Sequence, residues 1–217
     1  MTGLVRKAAA FAACGVILGA AVAFAGVPSP GNSTIPVRVN LVGHDIGTGQ
    51  PDGAQAFSSV TVTVRDLGNN PIANSSVVID FSGCVSDTRL GDTQPFAGLT
   101  ANCGTHGISA LTDVAGVATF VIEGGGNASA PAHASGAGKV YADGVLLGSI
   151  NVGLYDLNGL TGVDGLDLSL FGADLFSVGT EDRADYDNSG TLDGLDLSVF
   201  GAALFGTSNA SAATYCP

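Results

Sequence analysis

The sequence predicts a mostly β protein: a β-sandwich of short strands followed by a small α-helical unit built on two acidic loops. Three observations carry this. Apolar and polar residues alternate with period two in several runs between residues 35 and 152. A stretch rich in Asp near the carboxy terminus is present twice. Gly reaches 33 residues while charged residues make up only 12% of the chain, a composition that favours strands and turns over long helices.

In chain order, residues 1–25 read as a targeting segment. Arg6 and Lys7 precede an apolar run from Ala8 to Phe24, and Ala23, Phe24 and Ala25 form a small-x-small cleavage pattern. The apolar run approaches the length of a membrane span. The cleavage pattern, followed by Gly26 and the Pro-rich VPSPG, favours a removed signal peptide over a retained anchor, with no membrane insertion afterwards. Cys14 lies inside the run and is expected to leave with it. The expected organisation is a signal peptide (1–25), a linker (26–34), a β-sandwich domain (35–152), a helical domain (153–207) and a C-terminal tail (208–217).

Within 35–152, Val37 and Val39 alternate with Arg38 and Asn40. Val60, Val62 and Val64 alternate with Thr61, Thr63 and Arg65; Val77, Ile79 and Phe81 repeat the pattern. Ala118, Phe120 and Ile122 oppose Val117, Thr119 and Val121, and KVYADG and VLLGSINV supply the last strands. Turn signals separate them at Leu67 to Pro71 and Asp113 to Gly116. Many short strands at this spacing imply a sandwich. The low-complexity stretch from Gly124 to Gly138 has the composition of a linker and is expected to form a mobile loop within the sandwich.

Cys84 and Cys103 flank a loop, and in an exported protein they are expected to form a disulfide rather than a metal site. In the chain-entropy model such a closure stabilises by about 3 kcal/mol. Cys216, next to the last residue, is left over and can stay free, pair between molecules or compete with the other two.

VTVTVRDLGNNPIANSSVVIDF and LTDVAGVATFVI resemble the bacterial immunoglobulin-like domains of the intimin and invasin type. Gly68 sits one place earlier than that family's turn expects. The resemblance implies an immunoglobulin-like β-sandwich with a spacer or adhesive role and no catalytic residues.

The acidic repeat occupies 156–176 and 185–205, with about a dozen of 21 positions identical. A hard cation such as Ca2+ takes oxygen ligands from positions 1, 3, 5, 7, 9 and 12 of a loop, with Gly at position 6 for the bend. In the second copy these are Asp185, Asp187, Ser189, Thr191 through its carbonyl, Asp193 and Asp196, with Gly190 at the bend. The first copy keeps Asp156, Asn158, Asp164 and Asp167, but Leu160 at position 5 offers no side-chain oxygen and Thr161 stands at the bend. Weaker calcium binding, or a water in place of the missing ligand, is expected there. Leu197, Phe200, Leu204 and Phe205 of the second helix are expected to pack on Leu168, Phe171, Leu175 and Phe176 of the first.

Paired loop-helix units of this kind resemble a dockerin domain, the module that docks secreted proteins onto cohesin domains. The short stretch from Ser177 to Ala184 departs from the family, which usually places an extra helix there. The resemblance implies calcium-dependent folding and a cohesin-like partner, read largely at Gly165 and Leu166 in one copy and Gly194 and Leu195 in the other. Agreement between the copies would let either present the same face.

With 7 basic and 19 acidic residues the chain carries a net charge of −12, which argues against nucleic acid and anionic membranes as partners. Ten of those acids lie between Tyr155 and Phe205, a concentration that suits a cation site. His44, His106 and His133 lack zinc-ligand spacing. Hydrolase, Walker and dinucleotide motifs are absent from the sequence, and acid pairs drawn from Asp80, Asp87, Asp92 and Glu123 fall mostly at turns. The chain has no Trp and its four Tyr are dispersed, so direct sugar binding, which favours aromatic platforms, ranks low. The expectation is a secreted non-catalytic protein that binds calcium and docks onto a cohesin-like partner. A self-standing calcium-binding surface or matrix protein is the alternative, and a polysaccharide-associated component ranks below it.

Overall fold

Alternation decides which side chains turn inward. The computed structural model describes residues 26–43, 58–94, 96–130, 132–160, 162–176, 181–206 and 215–216. The expected signal peptide, His44 and most of the expected tail lie outside them. The fold is mostly β, with two α-helices among the described residues. The main sheet has six strands in the order β1-β10-β9-β3-β6-β5. They are β1 (Arg38–Leu41), β3 (Ser76–Asp80), β5 (Thr100–Asn102), β6 (Gly107–Leu111), β9 (Gly138–Ala142) and β10 (Val145–Leu154). Two further pairs join β2 (Val60–Thr63) to β7 (Val117–Phe120), and β4 (Thr88–Leu90) to β8 (Gly124–Gly126). All pairings between these strands are antiparallel except β1 with β10, which is parallel.

The inward set follows the period-two pattern. Val62, Val64, Ala118, Phe120 and Ile122 from one layer, and Val77, Ile79, Ile108, Val140 and Val152 from the other, are buried in one cluster. In the turn before Pro71 the left-handed residue is Asn69, at φ 63°, rather than Gly68, and Asp66 accepts the Asn70 N–H at 2.8 Å.

The expectations for the cysteines and for the glycine-rich stretch are corrected. Cys84 does not pair with Cys103. Cys103 is bonded to Cys216, 113 residues away, with Cα atoms 5.1 Å apart, and Cys84 is a buried free thiol. The 3-10 turn Ser82–Cys84 directs the Cys84 thiol inward, where it donates to the Phe81 carbonyl, while the chain end comes back to Leu90 and meets Cys103. The glycine-rich stretch is not simply a loop, because Gly124–Gly126 is a fully buried strand.

Strand β1 departs from simple alternation. All four of its residues are buried, because the helical unit covers the face that carries Arg38 and Asn40. Arg38 donates to the Asp182 carbonyl and lies 3.5 Å from its carboxylate. Asn40 Nδ2 donates to the Tyr186 carbonyl at 3.1 Å.

Helix α1 (Gly165–Leu175) and helix α2 (Gly194–Gly206) follow the two acidic loops, with a 3-10 turn, Glu181–Ala184, between them. Phe171 and Phe200 stack at 5.3 Å between ring centroids. Tyr186 stacks on Tyr155 at 4.5 Å and continues the aromatic column to both phenylalanines. The expected packing of Leu168, Leu197 and Phe176 between the helices does not occur. They are 39%, 42% and 87% exposed, since the column of rings already fills the seam and these residues fall on the outer faces.

Candidate metal centre

The 185–196 loop starts where Arg183 is clamped. Its guanidinium donates to both oxygens of Asp174 on α1, at 2.7 and 2.8 Å, and this bidentate pair fixes the approach to Asp185. From there the loop folds on its own backbone. Asp185 accepts N–H groups from Ser189 at 3.0 Å and Gly190 at 2.9 Å, one on each oxygen. Asp187 accepts Ser189 N–H at 2.9 Å. Asp196, fully buried in the first turn of α2, accepts Asp187 N–H at 3.3 Å and Asp193 N–H at 2.9 Å. Gly190 makes the bend at φ 82°, a conformation in which a side chain is strained.

These bonds bring oxygens of Asp185, Asp187 and Asp196 within 4.8 Å of one another, and among the described residues this is the one such cluster of three or more His, Cys, Asp or Glu. Burial raises the Asp185 carboxyl above its usual range, and the neighbouring Asp196 charge adds to that, against backbone hydrogen bonds and Arg38, which lower it. Asp187 is exposed, and hydrogen bonds from Ser189 lower its carboxyl. An all-oxygen set of three carboxylates with one open side suits a hard cation and gives a soft metal nothing to prefer. The residues therefore fit Ca2+.

Of the remaining predicted positions, Ser189 stays beside the cluster, its N–H donating to Asp185 and Asp187. Ser189 Oγ donates to the Thr191 carbonyl at 3.0 Å, so these two bond each other. Asp193 caps α2 by accepting Leu195 N–H at 2.7 Å.

The 156–167 loop repeats the scaffold. Asp167 accepts Asn158 N–H at 2.9 Å and Asp164 N–H at 2.8 Å, and Asp164 accepts Leu166 N–H at 2.7 Å. Asp156 accepts Gly159 N–H at 2.7 Å, and its other oxygen accepts the Tyr215 hydroxyl at 2.7 Å. Asp156 and Asp167 are both fully buried. Burial pushes the Asp156 carboxyl up to about 6. Burial, with the Asp156 charge next in weight, pushes Asp167 up to about 7. Sequence reasoning missed Tyr215, because its link to Asp156 crosses the whole helical unit.

The residues expected to meet a partner stand clear. Gly165 and Gly194 open the two helices with free space about them, and Leu166 and Leu195 are 61% and 63% exposed. His133 lies in a loop, as expected, but is buried there. Its Nδ1 lies 2.9 Å from Asp87 and its Nε2 lies 2.8 Å from the Val152 carbonyl, contacts that pin the chain after the glycine-rich strand to the main sheet. Among the described residues, no helix is long and apolar enough to cross a membrane.

No family model and no curated protein matches the chain. Among solved structures, the adhesin InvE of Yersinia pseudotuberculosis is similar at 26% identity, over 59% of this chain and 28% of that one, with a TM-score of 0.27. The chain thus spans just over a quarter of that protein's length, and a superposition this loose does not establish a shared architecture.

Proposed function

We propose that this is an exported, non-catalytic protein in which the 185–196 loop binds Ca2+ and the two helices that follow the loops dock onto a cohesin-like domain. The β-rich part, read as immunoglobulin-like, serves as spacer or adhesive module. The observation that carries the reading is the convergence of Asp185, Asp187 and Asp196. Asp185 and Asp187 enter the loop and Asp196 belongs to α2, so a bound cation ties the loop to the start of that helix. Ca2+ supplies positive charge that offsets three converging carboxylates. The chain itself supplies the bend at Gly190, the cap at Asp193 and the Arg183 clamp.

Support for docking comes from the duplicated exposed pairs Leu166 with Leu168 and Leu195 with Leu197. Leu166 and Leu168 recur 29 positions on in the sequence as Leu195 and Leu197. The self-standing alternative draws on a different observation: the calcium loop is bonded to β1 through Asn40 and Tyr186, so the ion can serve the stability of this chain alone.

Calorimetric titration with calcium chloride tests the metal reading. Saturable binding is expected in the wild type, with affinity at least about tenfold lower in Asp185→Ala, a loss of the size that follows disturbance of a metal's surroundings. Absence of binding at millimolar calcium would end the reading. A pull-down with calcium present, comparing wild type with Leu166→Asp/Leu195→Asp, separates docking from the alternative. Capture of a cohesin-like domain that fails with the double variant supports docking, and equal capture of that domain by both proteins counts against the leucine face.

A further inference from the structure

The C-terminal residues Tyr215 and Cys216 are held at three points. Cys216 is disulfide-bonded to Cys103, its N–H donates to the Leu90 carbonyl at 2.7 Å, and Tyr215 bridges Gly91 at the end of β4. This anchoring delivers the tyrosine hydroxyl to Asp156, 59 residues earlier in the chain. Gly125 leaves the space for the contact, since a Cβ there would lie 2.7 Å from the hydroxyl oxygen and 3.0 Å from the Asp156 carboxylate.

Asp156 occupies the first position of the first acidic loop, matching Asp185 in the second. The two loops share the bonds that shape them, Asp167 to Asn158 and Asp164 on one side and Asp196 to Asp187 and Asp193 on the other. They differ at the first ligand. The Asp185 oxygens receive N–H groups of their own loop. One Asp156 oxygen receives a proton donor from the far end of the chain, and the carboxylate is closed off from solvent. Each Asp185 oxygen also accepts a donor, but from the loop that would wrap the ion. The Tyr215 hydroxyl comes from outside the loop and takes a lone pair of a carboxylate already closed off from solvent, so an ion has to displace it.

We infer that the disulfide-anchored Tyr215 is a latch that keeps divalent cations out of the 156–167 loop, so that the oxidised protein binds one calcium ion per chain and releasing the latch opens a second site. The inference rests on the calcium reading of the 185–196 loop. It also assigns the Cys103–Cys216 bond a function: reduction by a thiol reductant converts the disulfide to two thiols, frees the tail and raises the cation capacity of the chain.

The test is calorimetric titration of calcium chloride into the purified full chain in its oxidised form, into Tyr215→Phe and into Cys216→Ser, with the β circular dichroism signal recorded for each. The expected stoichiometry is one ion in the wild type and two in both variants, with the first site unchanged. Tyr215→Phe removes one oxygen and keeps the ring, so it decides the matter alone if Cys216→Ser loses β signal. Two ions in the oxidised wild type, or a single ion in Tyr215→Phe, would overturn the latch while leaving the second-loop reading intact. No ion in the wild type with one in Tyr215→Phe would overturn the second-loop reading and keep the latch. No ion in any of the proteins would overturn both.

Discussion

Gly126 shows how a single missing side chain sets the architecture around it. A Cβ there would run into the Leu157 carbonyl, and the Gly126 carbonyl in turn faces Gly159 across the same contact, while Gly126 N–H donates to the Asp156 carbonyl at 2.6 Å. Backbone therefore packs on backbone between β8 and the first acidic loop. Gly126→Ala should cost about 3 kcal/mol, near the upper end for overpacking, because neither partner can swing away. Gly201→Ala, on α2 with nothing within 4 Å of the added atom, should instead stabilise by about 0.5–1 kcal/mol through helix propensity. Urea midpoints of the two variants check the contrast, and similar midpoints would contradict it. The cysteines give a second residue-scale expectation. Burial pushes the Cys84 thiol up to about 12, so it should resist iodoacetamide at pH 8 in the native protein and react once the chain is unfolded. Peptide mapping should recover Cys103 joined to Cys216; recovery of Cys84 in a linked peptide would contradict the structure.

At the scale of elements, the two acidic loops were legible to different depths. The 185–196 loop was readable because its candidate ligands lie within a dozen residues, and local spacing alone brings Asp185, Asp187 and Asp196 together. Strand β1 was readable as a strand, but its polar face was not, since alternation assigns Arg38 and Asn40 to solvent and only the covering helical unit makes them buried. The Cys103–Cys216 bond and the Tyr215 contact were hidden because nothing local marks a pairing across so much chain. Glycine composition misled in the same way. A run that looks like a linker is a strand that must lack side chains for Leu157 and Tyr215 to approach. The first loop also carries a pH signature. Asp156 at about 6 and Asp167 at about 7 both sit above the ordinary carboxylate value of 3.8. Folding therefore takes up protons there, and the stability they contribute is complete below about pH 4 and lost as pH rises to about 7. Asp66 and Asp187 are shifted downward by hydrogen bonds, so their opposite effect is confined below that window. In excess chelator, the urea midpoint should fall between pH 5 and pH 8, by an amount on the order of a few kcal/mol in free energy. A midpoint that rises over that interval would show that these carboxyls are not held protonated by the fold.

At the scale of the whole molecule, buried residues of the β layers and of the helical unit belong to one cluster, from Val39 and Val152 through Tyr155 and Tyr186 to Phe171 and Phe200. Tyr186 is the hinge of that continuity. It lies between the candidate ligands Asp185 and Asp187, stacks on Tyr155, donates its hydroxyl to the Leu154 carbonyl at 2.8 Å and accepts Asn40 on its own carbonyl. Whatever orders the 185–196 loop thus also orders the end of β10 and the outer face of β1. A small helical pair with so little core of its own depends on such contacts, and a bound metal would add to them. Scanning calorimetry of the full chain should accordingly show one cooperative transition rather than two. At calcium concentrations about a hundredfold above the dissociation constant, the ion stabilises the folded state by about 2.7 kcal/mol, which for a chain of this size moves the midpoint by roughly 5–10 °C. Chelation should lower that single peak as a unit. Two resolved peaks, with only the smaller one moving on addition of calcium, would mean that Tyr186 and Arg38 do not couple the helical unit to the sheet, and that the ion serves the helices alone.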